Sequence, residues 1–182
     1  MIEILSIGKL VELFKLIING LSYAKDKIIE TEDKEIMRKI IQIQLSLEDI
    51  VDNAKKQLKL IKEIPHDYKI NDIRELLINQ RDKILFLSDL LYDKVFERIF
   101  KLYDPKTRRS IERIVMIKEG ALYEVIYKIE RLIHGKKSLI KDKIFKNIDE
   151  QEKIINELEG CSLKISEFIN KNFNFKEVLR FI

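Results

Sequence analysis

NDIRELLINQRDKILFLSDLLYDKVFERIFKLY, residues 71–103, is the stretch whose reading decides the fold. At about 100° per residue, Ile73, Leu77, Ile84, Leu87, Leu91, Val95, Ile99 and Leu102 fall in one stripe. Leu85, Tyr92, Phe96, Phe100 and Tyr103 fall in a second stripe beside it. Together they make more than half of the circumference apolar, which a single neighbour cannot cover. The spacing therefore predicts one continuous helix over 71–103, a hub with partners on two sides and both stripes in the core.

On the N-terminal side, a first helix is expected over 3–29, with Ile7, Val11, Phe14, Ile18, Leu21 and Ile28 on one face and a kink at Gly20. Thr31 is the expected N-cap of a second helix running to 63, where Ile36, Ile40, Ile43, Leu47, Val51, Ala54, Leu58 and Ile61 keep spacings of 3 and 4. IPHDYKIN, residues 64–71, reads as a loop, because Pro65 disfavours helix at the residue before it and Asn71 is a good N-cap for the hub. Beyond the hub, Asp104-Pro105 opens a fourth helix. It carries Ile111, Val115, Leu122, Val125, Ile129 and Leu132, and closes at His134-Gly135 with glycine as a left-handed cap. A fifth, capped by Ser138, continues through Gly160 to 171, and a capping box of Asn174 and Glu177 opens a short last helix over 175–182. The expected fold is all-α: one domain over 1–182, an elongated up-and-down bundle of five long helices plus a short C-terminal helix.

Composition agrees, since 46% hydrophobic and 36% charged residues with only 5 Gly and 2 Pro leave little material for turns. The balance of 35 basic against 31 acidic residues, net +4, is too even to mark a nucleic-acid binder. One cysteine, Cys161, precludes an intramolecular disulfide, and with two isolated histidines it disfavours a Cys/His zinc site. A reducing, cytoplasmic setting is expected. The apolar N-terminal run is interrupted by Lys9, Glu12 and Lys15, so it reads as an amphipathic helix and not as a signal or a membrane span.

No catalytic motif stands out. Neither His66 nor His134 has an assignable acid–base partner, and Arg131 stands too near His134 for the Arg–His pair of helical ribonucleases. The chemistry-bearing residues that remain are acids beside apolar stripes. Antiparallel pairing of the second and third helices sets positions adding to about 135 at one height, so Glu48, Asp52, Asp82 and Asp89 are expected to converge. Four such carboxylates call for a hard cation, Mg²⁺, Mn²⁺, Fe or Ca²⁺, or for neutralisation by Lys15, Lys83 or Tyr92.

The runs LEDIVDNA with Glu48 and Asp52, IRELLINQRDKILFLSDLLYD with Asp82, Asp89 and Asp93, and IDEQEKIIN with Glu152 resemble the acidic helix signatures of PhoU-like phosphate-uptake regulators. The resemblance implies paired three-helix units, a divalent metal ion held by these acids, and regulation of a membrane transporter through protein contact. The expectation is thus a non-enzymatic regulator or adaptor that binds a protein partner and forms a homodimer, through apolar faces of the first and last helices left uncovered. An alternative of another class is a nucleic-acid or membrane-surface binder. It would use Lys106, Arg108, Arg109 and Arg113 at one end of the fourth helix and Arg131, Lys136, Lys137, Lys141, Lys143 and Lys146 at the other.

Overall fold

The structure, a computed structural model, describes residues 7–63, 70–115, 120–136 and 148–173. His66, Lys137, Lys141, Lys143, Lys146, the expected cap Ser138 and the expected helix 175–182 lie outside the described residues. All elements among the described residues are helical: α1 (Ile7–Glu30), α2 (Lys34–Glu63), α3 (Ile70–Tyr92), α4 (Lys94–Leu102), α5 (Pro105–Val115), α6 (Ala121–Ile133) and α7 (Ile148–Asn172). The all-α reading holds, whereas two of the long helices are each divided.

The hub is divided at Asp93, which is extended at φ −64° and ψ 142° and accepts the Val95 N–H at 2.7 Å as the N-cap of α4. Its other oxygen is 3.1 Å from the Lys39 ammonium of α2. The two apolar stripes are consequently used in succession rather than side by side. Through α3 the first stripe is buried, with Ile73, Leu77, Ile84, Leu87 and Leu91 in the core. Leu85 and Tyr92 of the second stripe are exposed there. Beyond Asp93 the second stripe turns inward: Phe96, Phe100 and Tyr103 are buried with Ile99, and their rings meet edge to face at 4.2 and 5.6 Å.

The fourth helix is likewise interrupted, because Gly120, extended at ψ 157°, is the N-cap of α6. Asp104 does cap α5 as expected, accepting from the Lys106 and Thr107 amides at 3.1 and 3.0 Å. Thr31 does not cap α2. Its hydroxyl instead donates to Ile28 O at 2.8 Å and closes α1, and Asp33 accepts from the Glu35 and Ile36 amides. Between them Glu32 takes the left-handed φ of 48°. Gly135 does not supply a left-handed cap either: no described glycine has a positive φ, and His134 is the C-cap of α6. Gly20 does not break α1, and is needed for close approach: a Cβ there would overlap the Tyr103 ring.

Ion pairs and hydrogen bonds give the directions. Lys55–Glu159 and Lys62–Glu152, both 2.5 Å, make α2 and α7 antiparallel. Lys15–Glu157 at 2.8 Å, with Val11 beside Ile154 and Asn19 beside Cys161 and Lys164, makes α1 and α7 parallel. Asn53 on Gln80 and Lys39 on Asp93 make α2 and α3 antiparallel. Arg74 on Gly135 O and Arg81 on Glu130 do the same for α3 and α6, and Tyr92 on Val115 O sets the end of α5 at the C-terminal end of α3. Each long helix packs chiefly on two others: α7 lies on both α1 and α2, α2 on α3 as well, α3 on α6, and α1 on α5, with α4 against α1, α2 and α3. The bundle is therefore up-and-down only in part, because the last long helix sits between the first two and runs parallel to the first.

One element of the α2–α3 contact is polar. Asn53 Nδ2 donates to Gln80 Oε1 at 2.5 Å and to Leu76 O at 3.0 Å, and Gln57 Nε2 donates to Leu76 O at 3.3 Å. All three amides are buried. A one-residue slip would strand the Asn53 and Gln57 donors in an apolar core, so the ladder selects the register of α2 on α3.

Candidate interaction face and the predicted acidic sites

The expected carboxylate centre is not assembled, and the reason is rotational. Glu48 and Asp52 are both exposed, on the flank of α2 that carries Lys55 and Lys62 toward α7, and Glu48 accepts only from Gln44 Nε2 at 2.6 Å. Asp49 instead turns toward α3, where Lys83 lies 3.4 Å away. Asp82 pairs with Arg81 at 2.8 Å, and Asp89 is exposed on the outer face of α3. Asp93 is spent on the α4 cap and Lys39, and these two interactions, the Val95 N–H first, hold its carboxyl below the ordinary aspartate range. Glu152 pairs with Lys62. Among the described residues no three His, Cys, Asp or Glu side chains gather to hold a metal ion. Lys15, expected among the neutralising partners, serves Glu157 instead.

The basic residues do not form one surface. Lys106, Arg109 and Arg113 are exposed on α5, and Arg108 pairs with Glu112 at 2.8 Å. Arg131 and Lys136, also exposed, belong to the far end of α6, beside Arg74 at the start of α3. Val115, the end of α5, lies against Tyr92 at the opposite end of α3, some 27 Å away at about 1.5 Å per residue. His134 is exposed, 3.1 Å from Glu130.

Of the apolar face of α1 expected to lie open, Val11, Phe14, Leu21 and Ile28 are buried within the chain and Ile18 is partly buried. A cleft of about 650 Å³ runs between α1 and α7, lined by Lys15, Asn19, Glu157, Gly160, Cys161 and Lys164. Glu157 already occupies the Lys15 ammonium, and burial pushes the Cys161 thiol up, away from the reactive thiolate.

Leu85 and Tyr92, expected in the core, lie instead in an apolar seam over the groove between α3 and α6. Ile78, Leu85 and Tyr92 are 36, 41 and 44% exposed on the α6 side of α3, and Tyr123 and Tyr127 are 49 and 55% exposed on the α3 side of α6. The Arg81–Glu130 and Arg74–Gly135 contacts set residues adding to about 210 at one height, so Leu85 stands level with the interval between the two tyrosines. The Tyr92 hydroxyl, donating to Val115 O at 2.6 Å, fixes its ring against the end of α5. The signal was present as the spacing of 7 in Ile78, Leu85 and Tyr92, a stripe of its own once the hub is divided at Asp93.

Fold and face together define a helical-bundle protein with an apolar surface seam. In comparisons with known proteins no family model, no curated protein and no solved structure matches the chain. No helix among the described residues is long and apolar enough to cross a membrane.

Proposed function

We propose that the protein is a non-enzymatic regulatory or adaptor module that acts by binding a partner protein along the α3–α6 seam. The observation that carries this reading is the alignment of five exposed apolar side chains, Ile78, Leu85, Tyr92, Tyr123 and Tyr127, on facing flanks of α3 and α6; Tyr23, Leu45, Phe86 and Leu163 are exposed elsewhere. Contiguous exposed apolar surface is unfavourable unless something covers it, and aromatic residues are the usual anchors of interfaces. The occupant is an amphipathic helix of the partner, which fits a groove between two antiparallel helices.

The test is a three-heptad amphipathic peptide with a leucine stripe, titrated by fluorescence anisotropy. Binding is expected, with loss on Leu85→Glu or Tyr127→Glu and retention on Leu163→Glu, which alters an exposed leucine on α7. Equal binding by all three variants would remove the seam as the binding face. The PhoU-like version adds a metal-dependent transporter regulator, supported by the acidic signatures alone. It requires that Mg²⁺, Mn²⁺, Fe²⁺ or Ca²⁺ raise Tm of chelator-stripped protein and that Asp52→Asn abolish the rise. No shift with any of these ions removes that version and leaves the adaptor reading standing.

A further inference from the structure

Along α3 the apolar stripe has a companion. Glu75, Asp82 and Asp89 are all exposed and share the spacing of 7 that relates Ile78, Leu85 and Tyr92. Each acid precedes an apolar residue of the seam by three positions, one turn below it and on the outer side. The two stripes therefore run side by side along the helix, in the relation that flanking charges bear to the core positions of a coiled coil. On the other rim Glu124 lies 3.9 Å from Lys128, and Arg81, which crosses the groove, is held by both Asp82 and Glu130 at 2.8 Å. Arg81 and Lys128 are thus engaged by acids of the protein itself, while Arg74 donates to Gly135 O at the far end of the groove. Glu75 and Asp89 stay directed to solvent.

From this geometry we infer that the occupant of the seam is a basic amphipathic helix. Its aliphatic stripe lies between Leu85 and the two tyrosines, and its lysines or arginines face Glu75, Asp82 and Asp89. The inference rests on the adaptor reading and adds the partner's charge. Complementary charges flanking an apolar seam select among partners more than they add affinity. A second copy of this chain is the disfavoured occupant for the same reason. Laid antiparallel on the seam, two copies would set the acidic stripe of each against that of the other, and opposed like charges are unfavourable.

The experiment uses the full chain and two three-heptad peptides that share one leucine stripe and differ only in their flanks, lysine in one and glutamate in the other. The lysine peptide is expected to bind at least about tenfold more tightly in low salt, with the preference shrinking as salt screens the charges. Glu75→Lys, Asp82→Lys and Asp89→Lys combined should invert the preference, with helicity by circular dichroism showing that the variant is folded. Leu85→Glu should abolish binding of both peptides. If both bind equally, the seam is a docking face and the charge inference is overturned. If neither binds, the adaptor reading falls with it. A dimer in sedimentation that Leu85→Glu dissociates would assign the seam to a second copy and overturn the basic-helix proposal.

Discussion

Phe86 and Phe96 stand ten residues apart in one apolar run, and they have opposite fates. Phe96 is fully buried against Phe100 under α1 and α2, whereas Phe86 is 56% exposed on α3. Phe86 falls outside both stripes, so the pattern leaves it off the core. Phe96 belongs to the second stripe, which reaches the core only because the break at Asp93 re-aims the helix and exchanges which stripe faces inward. Had the helix continued straight, α4 could not have buried both Phe96 and Phe100, which belong to the stripe that α3 leaves partly in solvent. An apolar side chain in an amphipathic helix is thus a statement about a face, and the face has meaning only relative to the last cap.

The comparison breaks most decisively at Phe96. Phe96→Ala should cost about 3–5 kcal/mol by the cavity it leaves, read as a large fall in the urea midpoint at unchanged slope. A loss below about 1 kcal/mol would mean that α4 is not seated in the core. The seat itself is tested from the other side by Gly20→Ala, whose new methyl must displace the Tyr103 ring, at a cost of about 1–3 kcal/mol. Tyr103→Phe should go the other way. The phenol oxygen is buried with no hydrogen-bond partner, and its burial pushes the phenol pKa well above the ordinary value, so removing the hydroxyl should leave Tm unchanged or raise it.

Smaller and more specific is the break. Asp93→Ala removes the N-cap of α4 and should cost about 1 kcal/mol near neutral pH. The folded-state pKa of Asp93 is depressed below its unfolded value, so its contribution is fully present above the unfolded value of about 3.9 and is lost as pH falls through the folded value. The stability difference between wild type and Asp93→Ala should accordingly shrink in acid. A difference that grows as pH falls would contradict the assigned role. Last, Phe86→Ala should change stability by no more than about 0.5 kcal/mol, as for a surface substitution, and a loss of several kcal/mol would show that α3 faces the other way.

The candidate site was less legible than the core, and for a related reason. Leu85 and Tyr92 were visible as apolar, but the width of the hub stripe made them look like interior surface. Glu48 and Asp52 lie at the expected height relative to α3, yet the flank of α2 on which they stand faces α7. Height follows from residue counting along antiparallel helices, at about 1.5 Å per residue. Flank depends on which helix is next door.

From the sequence alone came the all-helical class, the C-terminal end of α2, the cap at Asp104 and most of the core positions of α1, α2, α3, α5 and α6, because these depend on local hydrogen bonding and on amphipathic periodicity. The tertiary structure alone decided that α7 lies between α1 and α2, that Asp93 and Gly120 begin new helices, and that the α3–α6 groove keeps an apolar seam in solvent. An apolar stripe states how much surface a helix must bury but carries no address for the partner. Neighbours are selected by the joint fit of all the stripes, the buried Asn53, Gln57 and Gln80 amides and the Gly20–Tyr103 contact, and such pairings exist only once the chain has closed on itself.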